Sequence, residues 1–386
     1  MEGYNKAMLL SQMPPASIVN NSETYQQMLA HLVTQDTIAI DTESNSLHAY
    51  YERVCLIQLS SQECDFLLDP FVFKDLSELG ALFARTDIQK IFHAGDYDIG
   101  CLKRDFDFTF HNIFDTMIAA TALAEPNLGF AALIEKYFDL VLDKKYQRAN
   151  WGERPLKPEM LSYAQYDSHF LIPLRDVLLP QLEAGNRLQL VLEEGEGMAR
   201  LVKPLEQHIE DIWRVKGAQD LSAEALSLLD ALNHTRELIA SKRDVPPFKV
   251  FSDRALIEIA QTQPHYIQEL SLLPSLPESQ VRRYGSLLMQ AIQAWRENPQ
   301  KVTPRKNHRL SDAEMKRRDA LSNWRKQAGL DEGLPSNAII SRELLERLAH
   351  LEFSDINQLE EAMKYFPYRY ERYGDAIFQV LERTKE

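Results

Sequence analysis

The stretch Thr37-Ile-Ala-Ile-Asp41-Thr42-Glu43 decides how the first half of this chain is read. A short apolar run, rich in β-branched residues, ends on two acids separated by one residue. It predicts a buried strand over Thr37–Asp41. In a strand, residues i and i+2 share a face, so Asp41 and Glu43 point the same way. Two carboxylates placed like this repel each other unless a cation sits between them. Hard oxygen ligands suit Mg²⁺ or Mn²⁺. Taken alone, the same pattern also describes a turn-capping Asp beside a surface Glu, so its meaning depends on the rest of the chain.

Outward from this strand, Val54–Ser60, Asp65–Asp69 and Lys90–His93 read as further strands. Helices are expected from about Tyr97, over Asn112–Leu123, over Gly129–Phe138, and as one piece over Pro158–Ile172 with proline near its start. Strands first, then strands alternating with helices, predict a mixed sheet flanked by helices. From about Trp213 the periodicity is helical almost throughout, so the fold class is α/β followed by all-α. This second half repeats itself. Leu232, Arg236, Pro246, Ser252, Leu256 and Ala260 recur, each 89 residues later, as Leu321, Arg325, Pro335, Ser341, Leu345 and Ala349. Arg283-Tyr284-Gly285 recurs as Arg372-Tyr373-Gly374 in the same register. Two tandem, independent small helical domains are expected.

Bulk properties narrow the function. The 386 residues suffice for two or three domains. No apolar run approaches the ~20 residues that span a bilayer, and the first ten residues make a poor signal peptide. Cys55, Cys64 and Cys101 show no metal-ligand spacing, which fits a reducing, cytoplasmic location. The net charge of −14 argues at first against a nucleic-acid partner. Residues 1–210 hold 17 basic and 31 acidic side chains, whereas residues 211–386 hold 26 of each. The excess therefore lies wholly in the first half. Arg296–Lys326 holds ten basic and four acidic residues, either a local footprint for nucleic acid or a solvated linker.

Two more elements complete a carboxylate constellation. In His93-Ala-Gly-Asp96-Tyr97-Asp98, a strand runs into a helix start. Asp96 is placed to cap that helix and Asp98 lies in its first turn. In Tyr163-x-x-x-Asp167, the i and i+4 positions of a helix bring a phenol and a carboxylate onto one face. Each element alone has a bland reading as cap, core aromatic or solvated acid. Together, in this order, they resemble the DEDDy exonucleases, named for their four acids and a tyrosine. The flanking segments Leu56-Ile-Gln-Leu59, Phe92-His-Ala-Gly95, Phe114-Asp-Thr116 and Arg154-Pro-Leu156 resemble ribonuclease D. Lys144–Trp151 also resembles the exonuclease subunit of the eukaryotic nuclear exosome. The repeated helical halves resemble HRDC domains, of which ribonuclease D carries two and the exosome subunit usually one.

The resemblance covers about residues 20–380. It implies an RNase H-like exonuclease domain at 1–208, HRDC-like domains at 209–298 and 312–386, and a basic linker at 299–311. It implies a 3′→5′ exoribonuclease that releases nucleoside 5′-monophosphates with two divalent ions, Mg²⁺ or Mn²⁺. Asp41, Glu43 and Asp167 would hold the metal that binds the attacking water. Asp41 would bridge to a second metal near Asp98, and Tyr163 would orient the water. The partner implied is RNA with a single-stranded 3′ end, such as transfer-RNA precursors or stable RNA in turnover, with no membrane and no obligatory protein partner. Leu47 and His48 are candidates against the terminal base, and Lys144, Lys145 and Trp151 for phosphate contact or stacking. Tyr368, Tyr370, Arg369 and Arg372 mix aromatic and basic character. His93 and His169 lie near the motifs, where most histidines only complete hydrogen bonds. Two other classes compete: a DNA exonuclease like that of the Werner helicase, and a binding or scaffold protein with a dead nuclease domain. The latter would be marked by a missing carboxylate, and all are present.

Overall fold

The computed structural model describes residues 13–302, 310–352 and 354–385. The described residues form two compact units: one built from residues 13–43, 54–205, 310–352 and 354–385, the other from Ser44–Arg53 and residues 206–302. Most of the expected linker at 299–311 lies outside the described residues.

The first unit is organised by a six-stranded mixed sheet. Its strands are β1 (Ser17–Val19), β2 (Thr37–Ser44), β3 (Val54–Ser60), β4 (Asp65–Leu68), β5 (Gln89–Phe92) and β6 (Ile113–Asp115), in the order β1-β4-β3-β2-β5-β6. β3 and β4 form an antiparallel hairpin, with Ile57 opposite Leu68 and Ser60 opposite Asp65. β2, β5 and β6 run parallel to one another. The period-2 alternation of β2 sends Ile38 and Ile40 into one hydrophobic core and Ala39 into another on the opposite face. The same alternation continues Ala39 into Asp41 and Glu43, so both acids extend from that second face.

Among the described residues, eight helices flank the sheet: α1 (Ser22–Leu32), α2 (Ser77–Phe83), α3 (Asp96–Phe106), α4 (Thr116–Ala122), α5 (Phe130–Phe138), α6 (Pro158–His169), α7 (Leu171–Ala184) and α8 (Leu188–Leu201). Three expectations need correction. Strand β2 does not end at Asp41 but continues to Ser44. Asn112–Leu123 is not one helix: Ile113–Asp115 pairs with β5, and Asp115 then caps α4 by accepting from the N–H groups of Met117 and Ile118. Pro158–Ile172 is likewise two helices meeting at Phe170. Pro173 explains the break, because it has no N–H for the carbonyl of His169 and its ring crowds that carbonyl. Helix α8 crosses β6 closely: a Cβ at Gly195 would lie 2.1 Å from the Ile113 carbonyl oxygen, so only glycine fits there.

The second unit is helical: α9 (Ala223–Arg243), α10 (Asp253–Thr262), α11 (Ile267–Leu270) and α12 (Glu278–Glu297), around a core that includes Leu228, Leu232, Leu256 and Ile292. The segment Ser44–Arg53 belongs to this body. The Tyr50 N–H donates to Asp244 Oδ1 at 3.1 Å, and the Tyr50 ring packs edge-on against His208.

The C-terminal residues carry the same helical plan: α13 (Asp312–Glu332), α14 (Ser336–Ile339), α15 (Arg342–His350), α16 (Ile356–Ala362) and α17 (Pro367–Glu382). Helix starts at 223, 253, 267 and 278 recur at 312, 342, 356 and 367, in the register of the sequence repeat. Even a long-range bond recurs. Arg236 donates to the Phe251 carbonyl at 3.3 Å, and Arg325 donates to the Ile340 carbonyl at 3.1 Å. The second copy is not the independent bundle its sequence suggests. Its core takes in Leu190 of α8, and Arg369 of α17 is buried against Glu193 and Glu194 of the same helix. No helix among the described residues is long and apolar enough to cross a membrane.

Candidate active site

The C-terminal half of β2, the first turn of α3 and one face of α6 converge on a cleft of about 270 Å³. Asp41 and Glu43 reach it from β2, and Tyr163 and Asp167 from α6. One carboxylate oxygen from each of Asp41, Glu43 and Asp167 lies within 4.8 Å of the other two. Asp98 also lines the cleft but stands outside this triplet, and its carboxylate accepts the Thr42 hydroxyl. Asp96 is exposed at the first position of α3. It is not the helix cap: that position is Gly95, whose N–H donates to Asp115 Oδ2 at 2.9 Å.

Crowding and burial govern the charges here. Burial pushes Asp41 well above the usual carboxylate range, and the charges of Asp98, Asp167 and Glu43 push it further. Glu43 is raised in the same way, by burial and then by Asp167 and Asp98. Burial lifts Asp98 to about 7 against the opposing bond from Thr42. Asp167 also rises to about 7 through burial, opposed by its hydrogen bond from Tyr163. The Tyr163 phenol is raised by burial and then by the charges of Asp167, Glu43 and Asp41, so it stays protonated. The clustered carboxylates offer oxygen donors, His93 also lines the cleft, and among the described residues neither Lys nor Arg does. Such a set disfavours its own ionisation and fits a hard divalent cation, which would offset the burial and repulsion that raise these acids.

The tyrosine is held from behind. Its ring stands 5.9 Å from Tyr146 and 6.1 Å from Trp151. Trp151 is only 1% exposed, in a core with Cys55, Leu56, Met160 and Ala164. It therefore has no open face on which a base could stack, and the expectation of direct stacking is corrected to packing beneath Tyr163. Arg154 fixes this loop, donating to Asp69 and to the carbonyls of Cys55 and Trp151. The Arg-Pro-Leu segment is thus a structural brace. Lys144 and Lys145 are exposed on the same loop, with the Lys145 ammonium 5.2 Å from the Tyr146 ring centre. Leu47 and His48 lie in the other unit, where Lys249 Nζ donates to His48 Nδ1 at 3.3 Å. Arg369, one of the mixed aromatic and basic residues near the end of the chain, is buried. Sequence reading passed over Thr42, Phe130 and Gln147, which line the cleft. Thr42 sits between the paired acids and Gln147 within the Lys144–Trp151 segment, and their positions were the only signal.

The cleft gathers the clustered carboxylates expected of a metal-dependent exonuclease. Residues 16–183 match the 3′-5′ exonuclease family, and residues 225–292 match the HRDC domain. Ribonuclease D of Escherichia coli is 31% identical over 280 residues, covering 71% of this chain and 73% of that protein. The crystal structure of that enzyme superposes with a TM-score of 0.67 at 25% identity, covering 96% of this chain and 99% of the other. Exosome complex exonuclease RRP6 of Saccharomyces cerevisiae is 32% identical over 293 residues, 71% of this chain. The chain spans only 40% of that relative's length, and 33% of the exosome component 10 homologue of Caenorhabditis elegans. The chain belongs to the ribonuclease D family of 3′→5′ exoribonucleases.

Proposed function

We propose that the cleft hydrolyses the last phosphodiester bond at an RNA 3′ end and releases one nucleoside 5′-monophosphate per step. The observation that carries this reading is the convergence of Asp41, Glu43 and Asp167 on one point, with Tyr163 bonded to Asp167. Asp41, Glu43, Asp98 and Asp167 would hold two divalent cations, Mg²⁺ or Mn²⁺. When bound, such ions would supply charge to offset the scissile phosphate, to activate the attacking water and to stabilise the leaving oxygen. The carboxylates would hold that charge in the cleft they line. The protonated Tyr163 hydroxyl, anchored on Asp167, positions the water for attack. Trp151 and Tyr146 keep the phenol from swinging away. Lys144 and Lys145, exposed beside the cleft loop, contact the backbone phosphates of the incoming strand.

The substrate class is RNA with a single-stranded 3′ end, acted on in the cytoplasm: transfer-RNA precursors, or stable RNA undergoing turnover. The acidic half of the molecule accommodates an anionic substrate only when the cations are bound, so RNA affinity depends on metal. A 5′-labelled RNA with a 3′ overhang, incubated with Mg²⁺ or Mn²⁺, tests this directly. A one-nucleotide ladder is expected, abolished in Asp41→Asn and weak on the matching DNA strand. Absence of digestion by metal-supplied protein, or RNA binding undiminished by chelator, overturns the reading.

A further inference from the structure

Helix α6 carries two i,i+4 pairs, and only one of them faces the cleft. Tyr163 and Asp167 line it. Gln165 and His169 lie about 200° around the helix from them, at ~100° per residue. Both bond to one carboxylate, Asp65, the first residue of β4. Gln165 Nε2 donates to Asp65 Oδ2 at 2.6 Å. His169 Nδ1 lies 3.0 Å from Oδ2 and 3.2 Å from Oδ1. Gln165 Nε2 also donates to the Pro14 carbonyl at 2.7 Å. Beside this clamp, Ser168 Oγ and Ser60 Oγ lie 2.8 Å apart, and Ser60 is the strand partner of Asp65.

Asp65 is 1% exposed. Burying a carboxylate is costly, and an apolar contact of similar size stabilises a fold as well or better. What the polar clamp adds is direction. The apolar seat of α6 is thin, with Met160 and Ala164 as its buried apolar residues. Apolar packing tolerates small rotations, whereas two bonds to one carboxylate select a single one. Side-chain ends lie about 5–6 Å from a helix axis, so a turn of ~10° shifts them by about 1 Å. A shift of that size at a catalytic group costs on the order of 100-fold in rate.

We infer that Asp65, through Gln165 and His169, is a positioning residue that sets the rotation of α6 and thereby the aim of Asp167 and Tyr163. The inference rests on the proposed function of the cleft. It is tested with Asp65→Asn and Gln165→Met in the full chain, comparing rates per folded molecule. Asp65→Asn is expected to lower kcat by about tenfold or more, with the KM for RNA within about twofold of wild type. The Mn²⁺ concentration giving half the maximal rate rises several-fold, because a ligand is turned away from its partners. Gln165→Met, which removes one bond of the two, shifts both quantities in the same direction by less. Lowered melting temperature with unchanged kcat and unchanged Mn²⁺ dependence overturns the inference, since the clamp would then only stabilise. Should Asp65→Asn fail to fold, Gln165→Met decides alone. Should wild type itself cut no RNA, the functional reading fails instead. Calorimetric Mn²⁺ titration then decides: weaker binding by either variant supports the positioning role, and equal binding overturns it.

Discussion

Arg369 of the last helix donates to Glu193 of α8 at 2.8 Å, across 176 positions of sequence, with both side chains almost wholly buried. The same guanidinium reaches Glu194 and the carbonyls of Leu190, Ala338 and Ile339. The position 89 residues earlier, in the first helical copy, is Gln280. The repeat therefore folds without an arginine there, and Arg369 is specific to joining the second copy to the sheet-bearing body.

Arg369→Met leaves the buried Glu193 and the partly buried Glu194 without a counter-charge. A loss of about 3–5 kcal/mol in unfolding free energy is expected. Part of it returns in the double variant Arg369→Met/Glu193→Leu, because an apolar pair replaces the buried Glu193 ion pair, while the partly exposed Glu194 still lacks its counter-charge. Denaturant titration of the single and double variants measures the coupling.

The crowded acids make metal-free stability depend on pH. Asp98 and Asp167 have folded-state values of about 7, above the unfolded carboxylate value of about 4. Protonation thus favours the folded state, and this contribution is full below about pH 4 and lost as pH rises through about 7. The melting temperature of chelated protein is expected to fall between pH 5 and pH 8, less steeply in Asp167→Asn. Saturating Mn²⁺ removes most of the slope. Thermal scans across this window, with and without metal, provide the check.

Tyr163→Phe removes the hydroxyl while leaving the ring packed on Tyr146 and Trp151. A drop of about 100-fold or more in kcat is expected, with KM for RNA little changed. Mn²⁺ affinity by calorimetry stays near wild type, which separates this variant from Asp41→Asn, in which both metal binding and activity are lost.

Trp151→Ala opens a cavity under Tyr163 and is expected to cost about 3–5 kcal/mol of stability. Trp151→Phe keeps most of the packing, and its KM for RNA is expected to match wild type. A raised KM in Trp151→Phe with unchanged melting temperature would restore the stacking role that burial argues against.

Lys144→Ala/Lys145→Ala removes two exposed charges and nothing from the core. RNA binding is expected to weaken, and the slope of log affinity against log salt to flatten by about 0.7 for each single-strand phosphate that no longer pairs with a lysine. Filter binding of inactive Asp41→Asn protein would show nothing if cation loss abolishes binding, so the lysine series belongs in an active background with a non-hydrolysable RNA.

The sequence by itself determined whatever depends on near neighbours along the chain. Spacing of two in β2 put Asp41 and Glu43 on one side, and spacing of four in α6 did the same for Tyr163 and Asp167. The shared offset of 89 residues marked the two helical copies helix by helix, because helix caps and core positions follow local periodicity. Only the tertiary structure decided which chain segments share a body. It placed Leu47 and His48 with the first helical copy, joined the second copy to the sheet through Arg369, buried Trp151, and used Asp65 to grip the far side of α6. Each of these rests on long-range packing of side chains, in which burial of one group is settled by what covers it, and periodicity along the chain carries no record of that covering.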